Sequence, residues 1–534
     1  MNRRQFFFLG AAALGTVGAK WRWQERLPDI TVDRVGMKQG HQVREPWRAA
    51  DFPLKERLPV VILGSGIAGL TCAWQLDKAG FHDFVVITGP ERYGNAAFGD
   101  AGEGMLYPKG AHYLPFPSLS SVHVRELLAE MGISQKDVYG KAPYYDERAI
   151  LHSPDERIFD PQSASWQEGL FLNADEAKKQ FQRFFLLVDS LKNQLGQDGK
   201  RLFDMPIAQL SSDTRWHHLD KLTFQEWLVS QQFTHPHLLD YLDYACRDDY
   251  GAGLKHVSAW AGIHYFAGRD GHAANAADGG LLTWPEGLGK PASWMAAKLA
   301  PHQLRDGMAM KVELKGENVA VYIQTPTEKY RIESDRVVMA MPLHVTKHLL
   351  PLNAFGFDDK QHMPVHSPWL VTNFILDDFP EEKPGETLAW DNIVSGSEGL
   401  GYVVATHQWI RQYRPEKTVF TAYRTLPFDD AKKAREWLAE ATEDELFASA
   451  MVDLELVYDK HQLYRRLARA EISVRAHAMA TPTPGFLSNE GLKQLRAQSG
   501  RVLFAHSDLS GYSVFEEAAW WGYRAADKIL GRVS

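Results

Sequence analysis

The sequence predicts an α/β protein in which one domain is assembled from separated segments. An α+β domain, a mixed sheet with a helical cap, is inserted between those segments. Three observations predict this fold class. A strand–loop–helix–strand pattern occupies residues 58–88, and a strand–loop–helix pattern occupies residues 500–530. Between them, helical apolar spacing and strand-like alternation follow one another in long blocks.

The first pattern begins with an apolar run at 60–63, which is typical of a buried parallel strand. The glycine loop that follows consists of Gly64, Ser65, Gly66, Ile67, Ala68 and Gly69. Gly64 allows the tight turn, Gly66 lets the backbone approach a pyrophosphate, and Gly69 lets helix and strand pack closely. The N–H groups at the start of the next helix favour phosphate. The pattern therefore predicts a Rossmann-type dinucleotide site.

The second strand of this unit, at 84–87, ends without the expected acidic residue. Such sites usually place an acid there, to bond the adenosine ribose. This chain has Thr88. Either Thr88 bonds the ribose weakly, or Glu91 reaches it from the following loop. The departure weighs more against NAD than against FAD, which makes many contacts elsewhere.

Size and composition fit a chain of two or three globular domains. The 534 residues are 45% hydrophobic and 24% charged. The net charge of −8 and the lack of a basic stripe argue against a nucleic-acid partner. Cys72 and Cys246 form neither a disulfide framework nor a thiolate metal site. No GxSxG nucleophile motif is present.

His344 and His348 have a spacing that could ligate zinc from one helix. A metalloprotease helix would have Glu after the first histidine, and this chain has Val345. We therefore predict no metal site.

The N-terminal segment 1–27 resembles a twin-arginine export signal. Arg3 and Arg4 precede a mostly apolar stretch at 6–19, which is too short to span a bilayer. We expect export to the periplasm, with no transmembrane span in the mature chain. The alternative is an N-terminal helix of the domain itself. Residues 28–56 are predicted to be an extended arm.

Three further motifs resemble the flavin-dependent amine oxidase family. Gly110, Ala111 and His112 resemble its GAH turn, which follows a glycine-rich segment that covers the flavin. Residues 284–287 resemble its WPEG segment. Residues 500–530 resemble the closing strand–acidic loop–helix of its FAD site. The resemblance implies FAD as the cofactor.

The resemblance also implies roles for individual residues around the FAD. Val312 sits where the family uses backbone groups against the adenine. Asp508 would bond the ribityl chain or the pyrophosphate, although the usual Gly-Glu after the strand is His506-Ser507 here. The helix that begins near Val514 and Phe515 would stabilise negative charge on the flavin.

The same resemblance supports a division of the chain into segments. The predicted boundaries are a signal segment at 1–27, an N-terminal arm at 28–56, FAD-binding segments at 57–117, 281–345 and 495–534, the helical part of the substrate domain at 118–280, and its sheet and helices at 346–494.

The candidate catalytic residues are His112, Trp284, Asn373 and His477. Many members of the family have a lysine that holds a water near flavin N5, but residues 367–379 contain none. Thr372 or Asn373 could hold that water, or none is held, which would leave a dehydrogenase rather than an oxidase. Trp284 could flank the flavin ring or fill the core. His477 could act as an acid/base group, as a polar lining residue or as a hydrogen-bonded histidine of the core.

A pair of acidic residues, Asp248 and Asp249, has two interpretations. The two carboxylates could attract a cationic amine, or they could lie in an exposed acidic turn. We favour the exposed turn.

Together these features predict an exported FAD-dependent oxidoreductase that oxidises a small amine by hydride transfer to flavin N5. Its electron acceptor would be oxygen or a periplasmic redox carrier. One alternative is a flavin desaturase or isomerase of the carotenoid and porphyrinogen group. The other is a non-catalytic flavoprotein that assists a partner.

Overall fold

The structure of the protein is a computed structural model that describes residues 28–167, 175–409 and 415–532. The predicted export signal, including Arg3 and Arg4, lies outside the described residues. Within the described residues, no helix is both long enough and apolar enough to cross a membrane.

A seven-stranded sheet, here called the nucleotide sheet, forms the first layer. Its strands, in order across the sheet, are Leu304–Arg305, Phe84–Ile87, Leu54–Leu63, Lys329–Met339, Asn318–Gln324 and Met308–Lys315, with Val502–Phe504 also pairing with Lys329–Met339. The pairings among the first three strands, and those of Lys329–Met339 with Leu54–Leu63 and Val502–Phe504, are parallel. The apolar runs at 60–63 and 84–87 are fully buried, as all-apolar parallel strands must be.

Helices from both the N-terminal and the C-terminal part of the chain pack against this sheet. Ile67–Lys78 is buried along most of its length, and the C-terminal helix Phe515–Ile529 packs against it. The remaining helices of this part are Met37–Gln42, Val122–Glu130, Gly289–Lys298, Leu343–Leu349 and Glu490–Ala497.

The second layer is an eight-stranded sheet, here called the inserted sheet. Its strands, in order, are Asp29–Arg34, Leu467–Ala480, His366–Leu376, Thr418–Thr425, Tyr402–Val404, Asp391–Val394, Glu156–Asp160 and Ser165–Gln167. The predicted arm at 28–56 thus contributes an edge strand, which runs parallel to Leu467–Ala480. Its following residues lead into the first nucleotide strand.

Two groups of helices enclose the inserted sheet. The helical cap has a core rich in Phe and Trp and consists of Asp175–Lys192, Phe224–Ser230, Pro236–Tyr250 and Ala259–Ala267. The outer face of the sheet packs on Ala431–Glu440, Glu443–Ala450, Val452–Val457 and Lys460–Arg466. Three short two-stranded ladders complete the fold: Phe98–Asp100 with Leu106–Pro108, Tyr113–Pro115 with Leu281–Thr283, and Ser134–Lys136 with Tyr144–Tyr145.

The predicted fold class is confirmed: a Rossmann-type domain built from separated segments carries an inserted mixed sheet with a helical cap. One element differs from the prediction. The charged stretch 428–470 was predicted to be helical throughout, but its last residues, 467–470, begin the long strand Leu467–Ala480. Its alternation is hard to see in the sequence, because alanines occupy five of its positions.

Candidate functional site

The glycine loop has the geometry that a dinucleotide requires. Gly64 has φ +114°, and a Cβ there would lie 2.3 Å from the carbonyl oxygen of Ala340. A Cβ on Gly69 would lie 1.9 Å from the carbonyl oxygen of Gly64. A Cβ on Gly66 would meet nothing closer than 4.0 Å. Gly64 and Gly69 are therefore required for packing, whereas Gly66 opens space above the loop.

The helix Ile67–Lys78 begins at this open space. Its N-cap is Gly66, with no side chain bonded to the first turn, so its N–H groups are available to a phosphate. Ser65 is buried, and its Oγ donates to the carbonyl oxygen of Thr88 at 3.1 Å. Ala68 is also buried, beneath the C-terminal helix.

A carboxylate, that of Asp306, lies beside the end of the second strand. Thr88 Oγ1 donates to Asp306 Oδ1 at 3.5 Å, and Arg92 forms an ion pair with the same carboxylate at 2.9 Å. The Asp306 side chain is 70% exposed. The sequence did not identify this residue, because the pairing of Leu304–Arg305 with 86–87 brings it there.

Glu91 does not face the ribose position. Its carboxylate forms a largely buried ion pair with Arg475, whose Nη1 lies 2.8 Å away. Arg475 also donates from Nε to the carbonyl oxygen of Lys109. Glu91 therefore connects the glycine-rich region to the inserted sheet, and Arg475 occupies the carboxylate that was expected to reach a ribose.

Val312 lies in the antiparallel part of the nucleotide sheet. It is buried and pairs with Val321. The backbone that lies beside Thr88 and Gly89, where the second strand ends, belongs to Gly307, whose carbonyl oxygen accepts from the Gly89 amide at 2.9 Å. The assignment of Val312 backbone groups to the adenine stays a prediction.

The GAH turn is held by the residues around it. The Ala111 amide donates to the carbonyl oxygen of Asn95 at 2.8 Å, and Tyr423 donates its hydroxyl proton to the carbonyl oxygen of Gly110. A Cβ on Gly110 would lie 2.3 Å from that same Asn95 oxygen. Ala111 and His112 remain partly exposed, so the turn presents both of them to open space.

The WPEG segment packs directly behind this turn. A Cβ on Gly287 would lie 2.6 Å from the carbonyl oxygen of Ala111, and the Leu288 amide donates to that oxygen at 3.0 Å. Trp284 itself is only 8% exposed and belongs to the core of the nucleotide domain. Of its two predicted roles, the structure places it in the core.

Asp508 is not available to the cofactor in the way the resemblance implied. It is fully buried. Its Oδ2 accepts from the Leu343 amide at 2.8 Å, and both of its oxygens lie 3.1 Å from His366 Nε2. The partly exposed groups at this end of the chain are His506, Ser513 and Val514, with the helix beginning at the buried Phe515.

The residues around the glycine loop fit a bound FAD. The loop offers helix amides that no side chain caps, and an open space lies above them. Asn95 is exposed next to Gly94, and Val514 is partly exposed next to Phe515. Gly94 approaches the loop closely, since its Cβ would lie 3.6 Å from the Cα of Gly66. A dinucleotide needs such a donor set with no charged side chain filling it.

The four predicted catalytic residues do not lie together. His112 lies between Trp390 and Tyr423, with ring centroids 5.3 and 4.6 Å away. His477 lies instead beside His344, on the strand Leu467–Ala480. Burial lowers the pKa of His112 to about 3, so its ring is neutral at physiological pH.

Asn373 lies on the side of the inserted sheet that faces the nucleotide domain. Its neighbours at 371 and 375 pack on that side, whereas Leu370 and Phe374 pack on the outer helices. Asn373 Oδ1 accepts from Thr421 at 2.7 Å, and its buried Nδ2 has no hydrogen-bond partner among the described residues. Thr372 falls on the opposite face, so Asn373 is the better candidate to hold a water.

A group of carboxylates surrounds the aromatic side chains near His112. Asp248 accepts a hydrogen bond from the Tyr113 hydroxyl at 3.3 Å. Asp391 and Glu156 lie opposite each other on paired strands. Within the described ranges, none of these three carboxylates forms an ion pair with a lysine or arginine. Burial and the neighbouring Asp249 raise the pKa of Asp248 to about 7.

The favoured exposed acidic turn at Asp248 and Asp249 is therefore wrong. Both residues belong to the last turn of the helix Pro236–Tyr250, and Asp249 is 8% exposed. Asp249 pairs with Arg269 at 3.6 Å, which also approaches Glu516 of the C-terminal helix. Asp248 keeps its charge unpaired.

The other face of this helix borders a cavity of about 280 Å³. Polar and aromatic side chains line it, among them Asp240, Tyr241, Asp243 and Tyr244. Tyr244 separates the cavity from the three carboxylates: burial raises its pKa, and Asp391, Asp248 and Glu156 raise it further. The cavity and the carboxylate group are thus adjacent.

The fold and this site define a flavin-dependent oxidoreductase. The family model of flavin-containing amine oxidoreductases matches residues 67–530, and the chain belongs to that family. FAD is its cofactor. No curated protein matches the sequence.

Solved structures of similar fold include several enzymes. Putrescine oxidase bound to putrescine has 18% identity and a TM-score of 0.62, over 90% of this chain and 100% of that one. Cyclohexylamine oxidase from Brevibacterium oxydans has 16% identity and a TM-score of 0.60, over 89% and 99%. A fatty acid isomerase from P. acnes has 15% identity and a TM-score of 0.59, over 88% and 97%. At these identities the likeness establishes the fold alone.

Proposed function

We propose that the protein is an exported FAD-dependent oxidoreductase that oxidises an amine. The observation that carries the proposal is the group of three carboxylates, Glu156, Asp248 and Asp391, which lack a cationic partner in the described chain. Asp248 and Asp391 are partly exposed and Glu156 is exposed, and burial together with repulsion from the charge of Glu156 raises the pKa of both other carboxylates. A bound ammonium group relieves that repulsion, so the group favours a cationic substrate.

The surroundings of these carboxylates suit the carbon part of an amine. The ring centroids of Tyr113 and Trp390 are 6.2 Å apart. Both rings also contact His112, at centroid distances of 4.9 and 5.3 Å. Because His112 is neutral, it adds a ring wall without repelling a cation. The aromatic wall excludes water and orients the alkyl chain.

Asp248 would convert the arriving ammonium ion into a reactive amine. With a pKa of about 7, its carboxylate can accept a proton near neutral pH. Bound FAD would accept a hydride from the carbon next to the nitrogen. The proposed role of Asn373 is to hold a water or an acceptor group in place through its unpartnered amide.

The electron acceptor and the location of the protein complete the proposal. We propose oxygen or a periplasmic redox carrier as the acceptor. The strand His366–Leu376 has no lysine to hold a water near the flavin, which favours a dehydrogenase that passes its electrons to a carrier. The twin-arginine motif at Arg3 and Arg4 supports export in the folded, FAD-loaded state.

Anaerobic reduction of the FAD-loaded protein tests the amine proposal. The panel begins with putrescine and cyclohexylamine, the amines named with the similar structures. We expect at least one amine to bleach the flavin, and Asp248→Asn to slow that bleaching. Glu317→Gln, which removes a carboxylate from an exposed turn of the nucleotide sheet, is the matched control.

The other outcomes separate the alternatives. Bleaching by apolar polyenes but by no amine would favour a desaturase or isomerase. A bound flavin that no compound reduces would favour a non-catalytic flavoprotein. The three carboxylates argue against a large apolar substrate, because a hydrocarbon would leave them desolvated and unpaired.

A further inference from the structure

Four histidines and one aspartate meet where the nucleotide domain joins the inserted sheet. They come from four separate parts of the chain. His344 opens the helix Leu343–Leu349, His366 opens the strand His366–Leu376, His477 lies near the end of Leu467–Ala480, and His506 and Asp508 follow the last nucleotide strand. We call these five residues the histidine cluster. Neither the carboxylate group nor the aromatic wall includes any of them.

Three members of the cluster bring ligand atoms together. One nitrogen each from His344 and His366 and one oxygen from Asp508 lie within 4.8 Å of one another. The closest pair, His366 Nε2 and the Asp508 carboxylate, are 3.1 Å apart. Two ligands bound to one zinc ion are separated by about 3.3 Å, which follows from metal–ligand distances near 2.0 Å and tetrahedral angles.

The ring of His344 stacks on that of His477 and meets that of His366 edge-on. Its Nδ1 is buried and has no hydrogen-bond partner in the described part of the chain. This nitrogen is therefore available to a ligand that the described residues do not supply.

The carboxylate of Asp508 can serve two purposes at once. Its Oδ2 accepts from the Leu343 amide and thereby caps the helix Leu343–Leu349. Its Oδ1 lies 3.1 Å from His366 Nε2 and 3.3 Å from His506 Nδ1. An ion bound between Oδ1 and His366 Nε2 would take the place of the proton that these two atoms share.

We propose that His344, His366 and Asp508 bind one divalent transition-metal ion of the zinc class. Two imidazoles and one carboxylate are a donor set that Zn²⁺ takes in proteins, with the fourth position open to water or to another side chain. The ring of His477 stacks on that of His344, with centroids 4.4 Å apart, so His477 lies beside this set. The ion would join the chain after the nucleotide strand to the inserted sheet and to the C-terminal segment.

From the sequence we considered a different zinc pair, His344 with His348, and predicted that it does not bind a metal. In the structure His348 lies on the same short helix but outside the histidine cluster, among Arg44, Lys347 and Asp359. It thus provides a matched control: the same residue type, on the same helix, one turn away.

Metal content of the FAD-loaded protein tests the proposal. The protein is treated with a chelator, equilibrated with Zn²⁺ or with Co²⁺ as a spectroscopic probe, and dialysed. We expect one Zn²⁺ per chain by mass spectrometry and the intense visible absorption of four-coordinate Co²⁺. His344→Ala and His366→Ala should lose the ion, whereas His348→Ala should retain it. Flavin content and circular dichroism, measured on the same samples, separate loss of the metal from loss of the cofactor or fold.

Two results would overturn the metal site. The first is wild-type protein, folded and FAD-loaded, that retains no Zn²⁺ and gives no Co²⁺ spectrum, in which case the cluster is a metal-free His–Asp hydrogen-bond network. The second is equal loss of metal from His348→Ala and His344→Ala, which would place the ion elsewhere. Neither result depends on whether an amine reduces the flavin.

Discussion

Asp248 is a carboxylic acid whose protonation changes near neutral pH, and the cause lies in its surroundings. Its ordinary pKa of 3.8 rises to about 7 because of burial first and the charge of Asp249 second. The charge of Asp249 is balanced by the ion pair with Arg269. Of the two neighbouring acids, Asp248 is therefore the one expected to titrate near neutral pH. Such a pair can hold a substrate charge and exchange a proton at the same place.

The pH dependence of amine oxidation follows from this pKa. Below pH 7 Asp248 is protonated and cannot attract or deprotonate an ammonium ion, so kcat/KM for an amine should rise with pH through about 7. Asp248→Asn should remove this rise and lower kcat/KM at pH 8 by roughly tenfold, which corresponds to about 1.4 kcal/mol. The measurement is the rate of anaerobic flavin reduction at several pH values. An unchanged profile in the variant would exclude this role for Asp248.

The titration of Asp248 should affect the stability of the protein in the opposite direction: stability should fall as the pH rises. An acid with a raised pKa binds more protons in the folded state than in the unfolded one, between pH 4 and 7. Its contribution to stability is therefore lost as the pH rises through that window. Asp248→Asn should raise the unfolding temperature at pH 8 and change it little at pH 4, measured by thermal denaturation with Glu317→Gln as the control.

The ion pair of Glu91 and Arg475 offers a test at the level of two residues. Their side chains are 16% and 6% exposed, so removing one partner strands a buried charge. Glu91→Gln or Arg475→Met alone should cost about 3–5 kcal/mol, and the double variant should recover much of that loss. Urea denaturation in a double-mutant cycle measures the coupling. Additive losses would mean that the two charges act independently.

At the scale of elements, the crossing of two helices supports the cofactor site. A Cβ on Gly522 would lie 2.1 Å from the carbonyl oxygen of Ala68 and 3.0 Å from the Cβ of Thr71. The C-terminal helix thus touches the backbone of the helix whose N-terminus faces the phosphates. Only glycine allows this approach, because the atoms opposite are backbone and cannot turn aside.

Gly522→Ala should therefore weaken FAD binding as well as stability. Separating the helices should cost about 1–3 kcal/mol, the usual cost of overpacking, and move the N-terminus of Ile67–Lys78. Gly500→Ala is the control, since no atom lies within 4 Å of its Cβ position. Denaturant unfolding and FAD release by gel filtration provide the two readouts. Equal behaviour of the two variants would show that the crossing tolerates a side chain.

Local motifs could be predicted from the sequence, whereas contacts between distant elements could not. The glycine loop, the GAH turn and the closing strand and helix are local motifs, and each depends on residues within about thirty positions of one another. Asp306 and Arg475 reach Thr88 and Glu91 only through strand pairing far along the chain. No local pattern marks such contacts.

The surroundings of individual side chains could not be predicted for the same physical reason. Glu91 follows the second nucleotide strand, but its partner Arg475 comes from a strand 384 positions later in the chain. Asp508 was identified as important, and its partners His366 and Leu343 explain why its carboxylate is buried. Sequence patterns identified reactive side chains, but only the fold determined which direction they face.

At the scale of the whole molecule, the two layers are joined at both ends of the chain. The histidine cluster links the C-terminal segment to the inserted sheet, and the first strand, Asp29–Arg34, joins that sheet before the nucleotide fold has begun. Arg34 extends this connection by donating from Nε to the carbonyl oxygen of Leu438 at 3.0 Å. The inserted sheet is thus completed by residues that precede the glycine loop.

The first strand should therefore stabilise the molecule although it lies far from the cofactor. Val32 is half-buried and packs on the core beneath the outer helices, whereas its neighbour Thr31 is exposed. Val32→Asp should lower the free energy of unfolding by roughly 2 kcal/mol, because it places a charge against apolar side chains. Thr31→Asp introduces the same residue one position away, and it should change stability little because successive side chains of a strand face opposite sides.

Shortened chains test the same strand. A chain that begins at residue 28 should unfold at the same temperature as the full chain, since it retains the strand. A chain that begins at residue 36 lacks the strand and should unfold at a lower temperature. Thermal unfolding of the two variants, the two shortened chains and the full chain, followed by flavin fluorescence and circular dichroism, measures the effect. If the chain from residue 36 proved as stable as the chain from residue 28, the edge strand would contribute nothing to the inserted sheet.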